Sequence, residues 1–357
     1  TIYGKKSLVK HLKQNDYKLD YIIKHQEAVK ELSNMQDFAN EIETLSYLTK
    51  ENKKKNINKE IKKFIEVCED ETPNQVKLNK ILMIVLPAIL IAVLALCLIG
   101  INRTFYFNVL KVVIIINLLL AFLNMQKSTS ILLPIGDFYK NIKVYENIFK
   151  EIDKQDFESS YLKELKEGLN KDGGSLKAIK ELKKIGSYID LRQNFVANII
   201  LNAIVLWDFY CIDMFDKWKK SYGKNIRTYL EIVGEIEALI SLASITYVRD
   251  DYTFAKVNEC DDLKPEIDFK NLKHPLIKIE DAVGNGITLK GQTCVITGSN
   301  MSGKTTFLRS IGINLVLSYA GGPALASEFK TSVMKVLTSI RVEDNVNKGI
   351  STFYAEL

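Results

Sequence analysis

Apolar and polar positions divide the chain into three textures. Up to about residue 76, apolar residues recur at helical spacing in a charged background. Ile22, Ala28, Val29 and Leu32 fall near one face within Tyr21–Leu32. No proline precedes Pro73, so long helices are permitted. From Ile81 to Ile101 the chain then runs 21 residues without a charge. At about 1.5 Å per residue, such a helix spans a bilayer core of roughly 30 Å. Phe105 to Asn124 is a second apolar run, interrupted by Asn108, Lys111 and Asn117. Lys111 is close enough to its start for the side chain to snorkel toward an interface. Pro87 is tolerable in a membrane helix. The pattern predicts a transmembrane hairpin at about 81–101 and 105–124. Lys77, Lys80 and Lys127 flank it and predict both ends on the cytoplasmic side. A hairpin buried in a soluble core is the competing reading, which 21 charge-free residues disfavour.

Residues 128–255 return to amphipathic helix. Phe138, Ile142, Tyr145 and Phe149 form a stripe. Lys171–Ser175 is a break, with Ser175 expected to cap a helix running to about Ser221. Phe195–Phe215 is nearly apolar, either a third membrane element or a packed core helix. Asp208 and Asp213 favour the core. Arg227–Tyr247 is another helix candidate. From about Val257 short β-like segments, turns and glycines take over, the texture of an α/β domain.

Charge and chemistry add less. The 357 residues carry a net charge of +6, a mild excess. Thr49–Lys63 holds seven lysines against two glutamates, either a DNA- or lipid-facing patch or a solvated face. The five cysteines form no Cys-x-x-Cys pair, so neither a disulfide framework nor a zinc site is indicated. His11, His25 and His274 are too far apart in sequence to read as a local metal cluster. The chain starts at Thr1 and stops at Leu357 in what reads as mid-element, and is expected to be a fragment of a longer protein.

The stretch Gly298-Ser299-Asn300-Met301-Ser302-Gly303-Lys304-Thr305 reads G-x-x-x-x-G-K-[ST], the phosphate-binding loop. Gln292–Thr297 before it predicts a buried strand. Thr306–Ser318 after it predicts a helix with Phe307, Ile311, Leu315 and Leu317 on its apolar side. Loop amides and the helix N-terminus would face the phosphates of ATP, Lys304 would reach the β- and γ-phosphates, and Thr305 would ligate Mg²⁺. No Leu-Ser-Gly-Gly-Gln of an ABC transporter occurs, and Asn347-Lys348-Gly349-Ile350 lacks the final Asp of a guanine-reading motif.

The C-terminal third resembles the ATPase domain of the MutS mismatch-repair family. The resemblance rests on His274-Pro275, on Asn285, and on Thr297–Thr306 with its internal Asn300-Met301. Gly321-Gly322-Pro323-Ala324 and Ser351-Thr352-Phe353 with Glu356 extend it. Gln26–Leu32 and Glu235–Ala243 resemble pieces of the family's helical core and lever. Gly286 stands where the family usually has Asp, Asp344-Asn345 replaces an Asp pair, and no Walker B Asp-Glu occurs before Leu357. Phe64-Ile65-Glu66 spells the mismatch-reading Phe-x-Glu and is taken as a chance match. The hairpin resembles membrane-associated MutS-like proteins of bacteria.

The resemblance implies an ATPase switch working as a homodimer, with ATP and Mg²⁺ at Val283, Asn285, Gly298, Ser299, Asn300, Met301, Ser302, Gly303, Lys304, Thr305 and Thr306. Lys304 and Thr305 would serve catalysis, and Ser351 would complete the site in trans. Double-stranded DNA and, through the hairpin, a lipid bilayer are the implied partners, with the ATPase domain cytoplasmic. A membrane scaffold with a structural nucleotide site is the alternative. The expected fold is mainly α-helical. It has a helical core at 1–76, a transmembrane hairpin at 77–127, a helical core and lever at 128–255, and the first part of an α/β P-loop ATPase domain at 256–357. Hydrolysis by this fragment alone is doubtful without Walker B.

Overall fold

The computed structural model describes residues 1–14, 16–51, 57–71, 74, 77–100, 102–260, 264–299 and 302–339. Among them the chain is mostly helical. The helices are α1 (Ile2–Lys13), α2 (Leu19–Ser33), α3 (Gln36–Glu51), α4 (Ile57–Glu69), α5 (Lys77–Ile99) and α6 (Arg103–Leu123). Then come α7 (Met125–Tyr139), α8 (Ile142–Lys154), α9 (Ser160–Asn170), α10 (Ser175–Asp190) and α11 (Phe195–Val205). Last are α12 (Trp207–Tyr222), α13 (Ile226–Ala243), α14 (Ile245–Val248) and α15 (Lys304–Tyr319). The four described strands are β1 (Lys256–Asn258), β2 (Glu266–Leu272), β3 (Asn285–Lys290) and β4 (Glu328–Ser332).

The chain divides into two compact units, each assembled from separate stretches. One comprises Thr1–Gly4, Asn40–Asp156 and Glu164–Gly234, the other Lys5–Ala39, Phe157–Lys163 and Glu235–Leu357.

Among the described residues, the regular structure of the first unit is all helix. The predicted stripe is its core: Phe138, Ile142, Tyr145 and Phe149 are all buried. Phe64 stacks on Phe138 with ring centroids 4.1 Å apart, and Trp218 Nε1 donates to Ala178 O at 2.8 Å. Phe64 is fully buried, which explains the Phe-x-Glu spelling as a core position; the ring cannot reach a DNA stack.

The two apolar runs form helices α5 and α6, which pair as a hairpin. Each is long and apolar enough to cross a membrane, and most of each is exposed. Ile84, Ile91, Leu98, Ile115 and Phe122 project outward. On the inner side Leu86, Leu90 and Val113 pack on Leu206 and Phe209. Asn117, the polar interruption, is buried and donates to Ala203 O at 2.7 Å, so it serves helix packing. Lys111 Nζ lies 4.8 Å from the Phe107 ring centroid, one turn toward the start of α6.

Two expectations in this unit change. The cap expected at Ser175 falls on Gly174, whose φ of 79° favours glycine, and Ser175 is already buried in α10. The single helix expected to run to Ser221 breaks twice. Asn194 Oδ1 accepts from Val196 N and Ala197 N and starts α11 afresh. Leu206 then takes a left-handed conformation, and the chain bends by 82° between α11 and α12. The two readings of Phe195–Phe215 are therefore divided between two helices. Phe195, Val196 and Ile200 of α11 are exposed, whereas Asp208, Asp213 and Phe215 of α12 are buried.

The second unit joins helices to a mixed sheet of order β1-β4-β2-β3. β1 runs parallel to β4, and β2 is antiparallel to both β3 and β4. Ile267, Phe269 and Leu272 of β2 face the core. The odd step between the last two coincides with a register shift and with Asn271 at φ 54°. Ile22, Leu315, Tyr319, Ala324 and Phe329 complete that core. Burying one such aromatic or aliphatic side chain contributes roughly 1.5–3 kcal/mol.

The strand expected at Gln292–Thr297 is not formed. The segment is irregular, and Val295 is exposed. A buried parallel strand needs neighbours to pair its N–H and C=O groups, and none of the described strands pairs with this segment. The described sheet is thus small and mixed, and it does not display the parallel P-loop domain expected from residue 256 onward.

Candidate phosphate-binding site

The expected loop leads directly into a long helix. Gly303 has φ 87°, a conformation that a β-carbon would strain, and it immediately precedes α15. No atom lies within 4 Å of where a Gly303 β-carbon would project, so the junction is open. A β-carbon at Gly298 would meet Ser302 Oγ at 2.9 Å. Gly298 and Ser302 therefore approach closely.

Lys304, Thr305 and Thr306 are the first three residues of α15, a helix of 16 residues. The first-turn N–H groups of a helix lack intrahelical partners and carry the positive end of its dipole. Thr305 and Thr306 are exposed. Lys304 Nζ donates to Gly298 O at 2.8 Å and to Ser299 O at 2.6 Å, which folds the ammonium across the loop. Ser302 N donates to Ser299 O at 3.3 Å. Such an arrangement can bind an anionic oxygen through amides, an ammonium and hydroxyls at once. The residues thus fit a nucleotide phosphate chain.

Three side-chain contacts fix α15 against its unit. Asn314 is fully buried. Its Nδ2 donates to Lys273 O at 2.9 Å, and its Oδ1 accepts from Leu325 N at 2.7 Å. Tyr319 OH donates to Ser332 O at 2.6 Å. One polar residue in mid-helix thus links the end of β2 to the turn after α15. Gly321 in that turn has φ 90°, and a β-carbon there would meet His25 Cβ at 2.5 Å. α15 also borders a mostly apolar groove of about 470 Å³ lined by Leu12, Tyr17, Leu308, Val316 and Met334, with Gln14 and Arg309 among its polar residues. Its apolar lining suits hydrocarbon better than phosphate.

The His274-Pro275 segment follows a charged triplet. Asp251 accepts from Arg249 through both oxygens at 2.8 and 2.9 Å and from Lys273 Nζ at 2.9 Å. The Arg249 hydrogen bonds, and behind them Lys273, hold the Asp251 carboxyl below the usual range against the opposing effect of burial.

Val283 and Asn285 are exposed, and Asn285 Nδ2 donates to Val283 O at 3.3 Å. The bond they share runs to one another; none of the hydrogen bonds described above brings them to the glycine loop. Asn300, Met301 and Ser351 lie outside the described residues. The two helical pieces named from the resemblance, Gln26–Leu32 and Glu235–Ala243, fall in the same unit as the loop. Gln26 Nε2 donates to Ala255 O at 3.1 Å. A cluster that sequence spacing did not reveal also lies here: His11 and His25 meet at Glu235.

Comparison with known proteins agrees with the site's location. Residues 294–357 match MutS domain V. The chain is 33% identical over 147 residues to the DNA mismatch repair protein MSH3 of Candida glabrata, covering 38% of this chain and 14% of that protein. It is 29% identical over 149 residues to the DNA mismatch repair protein MutS of Flavobacterium johnsoniae, covering 39% of this chain and 17% of the relative. It is 34% identical over 141 residues to the MutS protein of Haloquadratum walsbyi, covering 37% of this chain and 14% of the relative. The matches span roughly one seventh to one sixth of these relatives' lengths. The stretch that matches MutS domain V contains the glycine loop and α15.

Proposed function

We propose that this protein is a MutS-like, ATP-driven conformational switch that works as a dimer and is tethered to a membrane by the α5–α6 hairpin. The observation that carries the nucleotide reading is the junction at Gly303, where a left-handed glycine delivers Lys304 and Thr305 to the start of α15 within the matched segment. Gly298–Gly303 and the first turn of α15 would hold the phosphates, and Asn300 and Met301 belong to the same loop. Lys304 would exchange its two carbonyl partners for phosphate oxygens. Thr305 would hold Mg²⁺, which supplies charge neutralisation between the phosphates. Val283 and Asn285 would flank the nucleotide, and Ser351 would reach the γ-phosphate of the partner protomer.

The membrane reading rests on the exposed apolar faces of α5 and α6. Hydrocarbon would cover them at no cost in unsatisfied backbone groups, since each helix bonds internally. The ATPase segment would then be cytoplasmic. Double-stranded DNA enters only through the relatives' names, and the lysines of 50–63 supply nonspecific affinity at most.

Titration with a fluorescent ATP analogue and Mg²⁺ tests the first part. Saturable binding is expected, lost in Lys304→Ala. Equal affinity in that variant overturns the nucleotide reading. Flotation of the expressed chain with membranes after alkaline carbonate extraction tests the second. Release into the soluble fraction would overturn the tether and leave the nucleotide site intact. DNA binding is tested separately by filter retention across a salt series, where no salt-dependent retention excludes that partner.

A further inference from the structure

We propose that His11, His25 and Glu235 form a binding site for one divalent transition-metal ion, with Zn²⁺ the best match. The three come from α1, α2 and α13 and lie within the same compact unit. One ligand atom from each lies within 4.8 Å of the others, and both imidazoles are buried. His11 Nε2 is 2.8 Å and His25 Nε2 is 3.5 Å from the same oxygen, Glu235 Oε1.

The remaining nitrogens are arranged as metal-bound histidines require. His25 Nδ1 lies 2.8 Å from Tyr21 O, a partner that can only accept. Nδ1 therefore carries the proton, and in the neutral ring Nε2 presents a lone pair to the cluster. His11 Nδ1 is hydrogen-bonded to the Tyr21 hydroxyl, and its Nε2 faces Glu235 Oε1 and, at 3.3 Å, Ser7 Oγ, contacts that an ion bound at Nε2 would replace. His25 Nε2 is buried and has no hydrogen-bond partner among the described residues. Leaving such an atom unpaired costs about 1–3 kcal/mol, and a cation supplies the missing bond.

The carboxylate is held in place as well. Tyr161 OH donates to Glu235 Oε1 at 2.8 Å, and the Ser7 hydroxyl donates to Oε2. Two imidazoles and one carboxylate form a nitrogen-rich set that suits Zn²⁺ and its neighbours, whereas Mg²⁺ and Ca²⁺ favour oxygen ligands. Around a tetrahedral ion ligand atoms sit about 3.3 Å apart, so the side-chain ends need to move by about 1 Å. Tyr161 packs on the cluster, its ring centroid 4.4 Å from that of His25. The ion would pin three helices where the backbone of α2 abuts the Gly321 turn that ends α15. Its role is therefore a brace beneath the nucleotide-binding helix.

The test uses the full chain, freed of metal by dialysis against a chelator and titrated with Zn²⁺ in competition with a chromophoric chelator. One equivalent per chain is expected, with a Kd of about 1 μM or tighter. Co²⁺ should give the intense visible bands of a four-coordinate site. His25→Gln and Glu235→Gln should each weaken binding by about tenfold or more. Absence of one-equivalent binding by the unsubstituted chain overturns the proposal and leaves the cluster a hydrogen-bond network. Unchanged affinity in both variants, with folding verified by circular dichroism, also overturns it. If the variants fail to fold, the cobalt spectrum and stoichiometry of the unsubstituted chain decide alone.

Discussion

Asn314 Oδ1, inside the protein and in the middle of the helix that follows the glycine loop, accepts a hydrogen bond from Leu325 N at 2.7 Å. The same side chain donates to Lys273 O, so one residue satisfies a donor after α15 and an acceptor after β2. Replacing it with leucine keeps the volume and removes both bonds. A buried donor and a buried acceptor then remain unpaired, each costing about 1–3 kcal/mol. Asn314→Leu is therefore expected to lower stability by about 2–4 kcal/mol in urea denaturation. ATP-analogue affinity should fall with it, because α15 loses its anchor. A midpoint shift below about 0.5 kcal/mol would mean the two backbone groups find other partners.

Asn314 also illustrates what the sequence did not disclose. It is one polar residue in a helix whose apolar side the spacing assigns to Phe307, Ile311, Leu315 and Leu317, and its partners are 41 and 11 residues away. Local periodicity was legible. Phe138, Ile142, Tyr145 and Phe149 are core as the spacing required, and α15 starts at the lysine of the motif. The two apolar runs became helices whose ends lie close to the predicted bounds. Convergence was not legible. His11 and His25 are well separated in sequence, yet two short helices bring their ring centroids to 5.1 Å. The break at Leu206 gave no signal either, since leucine rarely adopts a left-handed conformation. Gln292–Thr297 forms no strand because apolar composition reports β-propensity, while a strand also needs a neighbour.

Gly321 and Gly312 should respond oppositely to alanine. At Gly321, φ is 90° and the added carbon meets His25 Cβ at 2.5 Å and its carbonyl carbon at 2.8 Å. Strain and overlap together predict a loss of about 3 kcal/mol or more. Gly312 lies in mid-α15 with no atom within 4 Å of the new carbon. There alanine removes the flexibility of glycine and should stabilise by about 0.5–1 kcal/mol. Parallel thermal melts of the two variants give the comparison, and a stable Gly321→Ala protein would contradict the tight approach to α2.

The Asp251 triplet sets a pH dependence. Its carboxyl is held below the usual range by Arg249 and Lys273, so the folded state binds that proton less readily than the unfolded chain. The resulting stability is present above the unfolded value of about 4 and is lost as pH falls further. Asp251→Asn is expected to cost about 1–3 kcal/mol at pH 7, and the difference from the unsubstituted protein should shrink steadily below about pH 4. Urea midpoints of both proteins from pH 7 to pH 3 check this. A difference that stays constant across the range would assign the loss to packing.

The bend between α11 and α12 rests on a charge pair. Asp208 is buried, and both its oxygens accept from Arg192 Nε at 3.1 Å. Arg192 Nη2 also reaches Thr129 Oγ1 at 2.8 Å. The Asp208 amide donates to Asn202 Oδ1 at 3.1 Å, which ties the two sides of the break together. Arg192→Met strands a buried carboxylate and should cost about 3–5 kcal/mol. Asp208→Asn removes the charge while keeping the shape and should cost less. Once the carboxylate is gone, the arginine is no longer needed to neutralise it. The double variant should therefore be more stable than the sum of the two losses implies, with a coupling of about 1–3 kcal/mol. Additive losses in the four-protein denaturation cycle would show that Asn202 and Thr129, rather than the ion pair, hold the bend.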